Sequence, residues 1–111
     1  MGQIHEISTP EDLLDELLAS HERDVWILKH SRTCGISSAA RREFESFASG
    51  HRGARFCMVE VQPARAASLA LAERLGVRHE SPQVILVRRG AAVWHASHWS
   101  ITRQALGRAG S

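Results

Sequence analysis

The stretch VWILKHSRTCGIS, residues 25 to 37, decides the fold of this chain. Its first four residues, Val25 to Leu28, form a short apolar run, which is typical of a strand buried on both faces. A polar loop from His30 to Thr33 follows the strand, and an apolar pattern at helical spacing begins after Cys34. The sequence therefore predicts a cysteine between a buried strand and the first residue of a helix, Gly35.

Before this stretch, the sequence predicts a weak first strand and one helix. The strand runs from about Ile4 to Ile7, and Thr9 can cap the helix, with Pro10 at its first position. The leucines expected on the buried face of this helix are Leu13, Leu14, Leu17 and Leu18.

After Cys34, helix and strand patterns continue to alternate. The second helix is expected to end at Gly50, and its apolar stripe consists of Ile36, Ala40, Phe44 and Phe47. A buried strand is predicted from Phe56 to Val61, and Pro63 precedes a third helix that stops at Gly76. The inward residues expected on this third helix are Leu69, Ala72 and Leu75.

The last part of the chain predicts a hairpin and a short helix. Two apolar runs, Val84 to Val87 and Ala91 to Trp94, flank Arg89-Gly90, a dipeptide suited to a tight turn. Ser100 is predicted to cap a final helix that extends to about Arg108.

The predicted order of elements is (β)αβαβαββα, in one domain that spans residues 1–111. Alternating strands and helices favour parallel pairing, and the late hairpin adds an antiparallel edge. The fold class is therefore α/β, with a central mixed sheet flanked by helices. This is the thioredoxin-like arrangement.

Composition and charge exclude several classes of protein. The formal net charge is +2, and the basic residues, of which only Lys29 is lysine, form no stripe interleaved with aromatics, so we expect no nucleic-acid partner. No apolar run approaches the roughly 20 residues of a membrane span, and the first residues do not resemble a signal peptide. Two cysteines are too few for a secreted disulfide scaffold, so we expect a cytoplasmic protein with free thiols.

Cys34 is the candidate nucleophile. Unpaired backbone N–H groups at a helix start stabilise a thiolate, which is the reactive form of cysteine. Three neighbours are expected to support that thiolate: Thr33 before it, Gly35, which allows close approach, and Ser37, whose hydroxyl can donate a hydrogen bond to the sulfur. The alternative is a buried, unreactive cysteine, but such a residue is normally found inside an apolar run.

Ser37 cannot resolve a mixed disulfide, so Cys34 must exchange with a thiol from outside the chain. Cys57 is the other candidate for a resolving partner. It is predicted to open the strand next to the one that precedes Cys34, so the two cysteines should lie at opposite ends of the sheet, roughly 15 Å apart at ~3.3 Å per residue. A disulfide needs Cα atoms within ~7 Å, and Cys57 is therefore expected to be a core residue.

Ser81-Pro82 supports the same site. Proline is confined to the start of a strand, and in thioredoxin-like proteins a cis-proline at this place faces the catalytic cysteine, while the residue before it pairs with the substrate backbone. The alternative is an ordinary trans proline in a turn.

Three segments carry a resemblance to a known family: KHSRTCGISSAA, VEVQPARAASLALAERLGVRHESPQVILVRRG and AVWHASHWSIT. Together they resemble the monothiol bacilliredoxins of the YtxJ type, which have the thioredoxin fold. The resemblance implies a reductase that removes bacillithiol from mixed disulfides on client proteins, with Cys34 as the family's cysteine and Ser37 as its serine. Gly35 stands where the family leads us to expect proline.

The resemblance makes bacillithiol a co-substrate and implies no cofactor. Bacillithiol carries carboxylates, and Arg32 and Arg78 are the cations best placed by sequence to bind them, although each is also a plausible solvated surface residue. His98 and Trp99 are expected either to form a wall of the substrate site or to pack, and Trp94 is expected to belong to the core. The spacing of the histidines near Trp94 matches no strong zinc signature, so no metal is predicted.

Two other functions are compatible with the sequence. CGIS differs by one residue from the CGFS motif of monothiol glutaredoxins, which share a [2Fe–2S] cluster using glutathione, but the chain lacks the paired glycines with which glutaredoxins hold glutathione. The second alternative is a thioredoxin-like adaptor in which Cys34 is idle.

Overall fold

Five strands and four helices make up the computed structural model, which describes residues 3–33 and 35–111. Cys34 lies outside the described residues. The strands are β1 (Ile4–Glu6), β2 (Val25–His30), β3 (Arg55–Glu60), β4 (Gln83–Arg88) and β5 (Ala91–Ser97). The helices are α1 (Pro10–Ala19), α2 (Gly35–Ser49), α3 (Arg65–Leu75) and α4 (Arg103–Ala109), and a short 3-10 turn covers His98–Ser100. None of these helices has the length and hydrophobicity needed to cross a bilayer.

The strands form one mixed sheet in the order β1-β3-β2-β4-β5. β1, β3 and β2 are parallel, whereas β4 is antiparallel to both β2 and β5. The predicted antiparallel hairpin is confirmed, but antiparallel pairing begins one strand earlier than expected. The reason is that the segment from Gly76 to Pro82 returns the chain to the carboxyl end of β2, where Gln83 lies opposite Lys29.

Each face of the sheet carries its own apolar cluster, and β2 contributes to both. Val25 and Ile27 belong to one cluster, while Trp26 and Leu28 belong to the other. The Trp26 ring packs edge-on against Phe47, with a centroid distance of 5.0 Å. All six residues of β2 are buried, which confirms the strand buried on both faces.

The buried faces of two helices differ from the sequence expectation. In α1, Leu13 is fully buried and Leu17 packs against the same cluster, but Leu14 and Leu18 are exposed, the latter by 69%. In α3, Leu69 is also exposed, because the helix turns Leu71 and its small residues toward the sheet. In α1 the cause is that residues one position apart are rotated by about 100° around a helix, so adjacent leucines cannot share one narrow buried face.

Helix ends follow the sequence with one exception. Thr9 caps α1, since its hydroxyl accepts a hydrogen bond from the Asp12 backbone N–H at 3.1 Å. The prediction that Ser100 caps the last helix is wrong. Thr102 does so instead, accepting from the Ala105 N–H at 3.1 Å, because Ser100 belongs to the 3-10 turn that precedes the helix.

Candidate functional site

The strand, loop and helix predicted around Cys34 are present on both sides of it. β2 ends at His30, the polar loop occupies residues 31 to 33, and α2 begins at Gly35. The cysteine itself is outside the part of the chain that the structure describes, so its role as nucleophile stays a prediction. The flanking residues nevertheless show how the loop is held.

Ser31 ties the loop to α2 and to the segment after β3. Its backbone N–H donates to the Oγ of Ser37 at 3.3 Å, and its own Oγ accepts from the Gln62 side-chain amide at 3.0 Å. The Ser31 Oγ also lies 3.3 Å from the Thr33 hydroxyl. Ser37 is fully buried, and because it accepts the Ser31 N–H, its single hydroxyl proton remains available for donation. Gln62 belongs to no motif that could have indicated this role from the sequence.

The Ser81–Pro82 bond is cis, as predicted. Pro82 is buried, and its carbonyl oxygen accepts a hydrogen bond from the His98 backbone N–H at 3.0 Å. The Ser81 hydroxyl is buried without a hydrogen-bond partner among the described residues. The proline segment and the turn that contains His98 are therefore neighbours, whereas the predicted contact of Pro82 with Cys34 lies outside the described residues.

His98 and Trp99 are both exposed, Trp99 by 70% of its surface. Together with Arg42 and Glu43 of α2, they line a groove of about 320 Å³. This position leaves both side chains accessible to a substrate, and their predicted role as a wall stays a prediction. Trp94 packs against Trp26 with a ring-centroid distance of 6.1 Å and is partly buried, as expected for a residue at the edge of the core.

The two predicted cations differ in how they are paired. The Arg32 guanidinium, 72% exposed, forms a fork with the Glu60 carboxylate: Nη2 lies 3.0 Å from Oε1, and Nε donates to Oε2. This contact lowers the pKa of Glu60 and draws Arg32 toward β3. Arg78 is exposed on the other side of β2, where its backbone carbonyl accepts from the Gln83 side chain at 3.1 Å. Arg32 is therefore paired on the β3 side of β2, whereas Arg78 belongs to the segment that precedes Pro82.

A buried lysine is the feature that sequence reasoning missed. Lys29 is fully buried, and its Nζ lies 3.0 Å from Nδ1 of His79. Burial lowers the pKa of Lys29 to about 8, and burial together with the Lys29 charge lowers the pKa of His79. A neutral His79 can therefore accept a hydrogen bond from the lysine. The available signal was the only lysine of the chain, placed at the end of an apolar strand.

His30, the neighbour of Lys29, is buried, with 5% of its surface exposed. Its Nδ1 has no hydrogen-bond partner within the described residues. Burial, followed by the charge of Arg41, lowers the pKa of its imidazole. No group of three potential metal ligands is present in residues 3–33 and 35–111. His30 is therefore a neutral, buried side chain below the loop.

Cys57 is a core residue, as predicted. It is fully buried and lies opposite Ile27, in the third position of β3 rather than at the start of the strand as expected. Burial raises the pKa of its thiol strongly, and the nearby Glu16 carboxylate raises it further. Such a thiol is protonated at neutral pH and shielded from reagents.

Comparisons with known proteins agree with this geometry. The sequence model of the family described as monothiol bacilliredoxin BrxC matches residues 5–106. A solved structure described as having a thioredoxin fold and a suggested oxidoreductase activity is 30% identical, with a TM-score of 0.89, and the alignment covers 97% of this chain and 94% of that one.

Two thioredoxins are more distant in sequence but share the fold. Thioredoxin of Fasciola hepatica is 18% identical with a TM-score of 0.76, over 95% of this chain and 94% of that one. Thioredoxin of Trypanosoma brucei brucei is 16% identical with the same TM-score of 0.76, over 96% and 90% of the two chains. The predicted thioredoxin-like fold is confirmed, and fold and family together support a thiol oxidoreductase. The chain belongs to the monothiol bacilliredoxin family.

Proposed function

We propose that this protein removes bacillithiol from mixed disulfides on client proteins, with Cys34 as the attacking thiolate. The observation that carries the proposal is the family match over residues 5–106, combined with a serine, Ser37, one turn after the cysteine. The only other thiol, Cys57, is fully buried and far from ionising. These facts support a cycle with a single reactive cysteine.

In the proposed reaction, the Cys34 thiolate attacks the bacillithiol sulfur of the mixed disulfide. The disulfide between client and bacillithiol breaks, the client leaves as a thiolate that takes a proton from water, and a Cys34–bacillithiol disulfide forms. The thiolate of a second bacillithiol, or of a dedicated reductase, then attacks the bacillithiol sulfur of this disulfide, so that a new disulfide with bacillithiol forms and the Cys34 thiolate leaves. The first step conserves the number of disulfides, and the second requires the external thiol as reductant.

The surroundings of Cys34 support a stabilised thiolate. The residue after it, Gly35, is the first of a fifteen-residue helix, and the first N–H groups of a helix have no partner inside the helix. Ser37 retains a hydroxyl proton for donation, because its oxygen accepts the N–H of Ser31. The cytoplasm, where thiols stay reduced, is the proposed compartment.

Arg78 is the preferred cation for the carboxylates of bacillithiol. It is exposed and forms no ion pair with any acid in the described part of the chain, whereas Arg32 already shares its charge with Glu60. The exposed His98 and Trp99 offer a polar and an aromatic surface for the sugar of bacillithiol. Ser81, whose hydroxyl has no partner within the described residues, is the proposed contact for the client backbone.

The test is a competition between two forms of one client protein, one carrying bacillithiol and the other glutathione. We expect release of the client to be faster from the bacillithiol form, by a factor of about ten or more, the scale of one charge-assisted hydrogen bond. Intact-mass spectrometry should show the small thiol on the protein, and Cys34→Ser should prevent the transfer. Equal rates for both client forms would leave thiol exchange intact and contradict the bacillithiol assignment.

A further inference from the structure

A second cavity, of about 350 Å³, lies at the opposite end of the sheet from the candidate site. Its lining includes five side chains that carry or can carry positive charge: His5, Arg23, His51, Arg52 and Arg55. No Asp or Glu is among the described residues that line it. A cavity with this composition attracts anions.

The strand register fixes the position of this cavity. Arg55 is the first residue of β3 and lies opposite Val25, the first residue of β2. The loop that precedes Cys34 follows the last residue of β2, His30. At ~3.3 Å per residue, the two ends of this strand are roughly 17 Å apart, so the cavity is separate from the proposed thiol site.

Two acids that contact lining residues of the cavity are paired with arginines, and the charge of one of them, Asp24, also acts on His51. Glu16 binds Arg55, with Oε2 2.9 Å from Nη2, and Asp24 binds Arg88, with Oδ2 2.7 Å from Nη2. Arg23 and Arg52 are exposed, and neither has a carboxylate within 4.0 Å in the described part of the chain. Two guanidinium groups therefore face the solvent without a counter-charge.

The loop between α2 and β3 adds neutral hydrogen-bond donors to the lining of the cavity. The backbone N–H groups of Arg52, Gly53 and Ala54 donate to no other described residue. Gly53 has a φ of 86°, a left-handed conformation that disfavours any side chain. The His51 ring is held by Phe47, with a centroid distance of 4.8 Å. Consecutive free N–H groups near a left-handed residue are a common binding element for phosphate.

We propose that this cavity binds a small molecule that carries a phosphate group. Two arginine forks and the backbone N–H groups supply donors from several directions, and a phosphate presents three acceptor oxygens to such a set. The volume of the cavity lies at the lower end of the range for small-molecule sites and fits a compact ligand better than a nucleic-acid strand. The site would act on its own, independently of thiol exchange.

The test uses pyrophosphate as the probe and the full-length, isotope-labelled protein in an NMR titration. We expect saturable chemical-shift changes at residues 51 to 55 and at His5 and Arg23. Arg52→Gln and Arg23→Gln should each weaken binding about tenfold or more, since each removes a charge-assisted contact. Arg108→Gln, which removes an exposed arginine of α4 that does not line the cavity, should leave the affinity unchanged.

Three outcomes would overturn the proposal. The first is the absence of saturable shifts at millimolar pyrophosphate. The second is an equal loss of affinity in the Arg108→Gln control, which would indicate a general charge effect. The third is tighter binding of a single-stranded oligonucleotide without terminal phosphates than of pyrophosphate. Because the titration measures binding alone, its result does not depend on the thiol chemistry of Cys34.

Discussion

Lys29 and His79 form a contact between β2 and the segment that leads to the cis-proline: Nζ lies 3.0 Å from Nδ1, and the lysine is fully buried. Gln83, the residue after Pro82, is the strand partner of Lys29. Its side-chain oxygen is buried without a hydrogen-bond partner in the described residues. A charged group thus lies inside the protein, next to the start of β4, and the His79 imidazole is its side-chain hydrogen-bond partner among the described residues.

This burial predicts how stability depends on pH. The pKa of Lys29 falls from 10.5 to about 8 on folding, so between these values the unfolded chain binds more protons than the folded one. Stability therefore rises with pH through that window, and the full penalty, on the order of 3 kcal/mol, applies below pH ~8. Replacing Lys29 with Met should raise the free energy of unfolding at pH 7.

The measurement is denaturant unfolding of the wild type and Lys29→Met between pH 7 and pH ~10.5. The advantage of the Met variant should shrink as the pH rises, because the wild-type lysine becomes neutral in the folded state. Arg108→Gln serves as an exposed-cation control and should change stability by no more than about 0.5 kcal/mol at any pH. A constant difference between wild type and Lys29→Met would contradict the assigned burial of the charge.

The two cysteines should react differently with alkylating reagents. Iodoacetamide should label Cys34 in the native protein, whereas Cys57 should be labelled only after unfolding, because it is fully buried and its pKa is strongly raised. Peptide mass spectrometry after labelling with and without denaturant distinguishes the two sites. Cys57→Ser should retain exchange activity, and a loss of turnover in that variant alone, with the fold intact, would refute the single-cysteine cycle.

Ser37 should contribute to both the stability and the reactivity of the site. Ser37→Ala leaves the N–H of Ser31 without its acceptor, at a cost of about 1–3 kcal/mol for a buried donor. We also expect it to raise the pKa of Cys34, which thiolate absorbance against pH would measure, from a wild-type value below ~8.5. Ser38→Ala, an exposed neighbour on α2, is the matched control. An unchanged thiol pKa in Ser37→Ala would limit its role to holding Ser31.

Local sequence patterns predicted most of the elements, the parallel pairs and the hairpin, but not the antiparallel pairing of β2 with β4. The apolar run of β2, the capping Thr9 and the Arg89-Gly90 turn each depend on a few neighbouring residues, and all three are present. The antiparallel pairing of β2 with β4 depends on where the segment from Gly76 to Pro82 returns, which is a property of the whole chain. Sequence periodicity carries no information about that return.

The same distinction holds at the candidate site. The cis bond before Pro82 could be predicted because it belongs to a short motif of the fold, whereas the hydrogen bond predicted from Ser37 to the sulfur of Cys34 stays a prediction. The contact of Lys29 with His79 spans 50 residues, and that of Arg32 with Glu60 spans 28. Pairs so far apart leave no local pattern, and this is why the two arginines were given equal weight from the sequence.

The different pairing of Arg78 and Arg32 predicts that their replacement affects KM to different extents. Arg78→Gln should raise the KM for a bacillithiolated client by about tenfold with little change in kcat, because it removes a free cation that would bind substrate carboxylates before and during the reaction. Arg32→Gln should raise KM less, because the guanidinium of Arg32 is already bound to Glu60. Its removal therefore takes away little of the positive charge that the protein offers to the substrate. Steady-state kinetics of both variants on one client, with its glutathionylated form as the reference substrate, measures the difference. A separate variant, Glu60→Gln with Arg32 intact, removes the carboxylate that binds Arg32. It should lower KM if the freed Arg32 can reach the substrate. A larger KM effect for Arg32→Gln than for Arg78→Gln would show that the carboxylates bind on the β3 side of the loop instead.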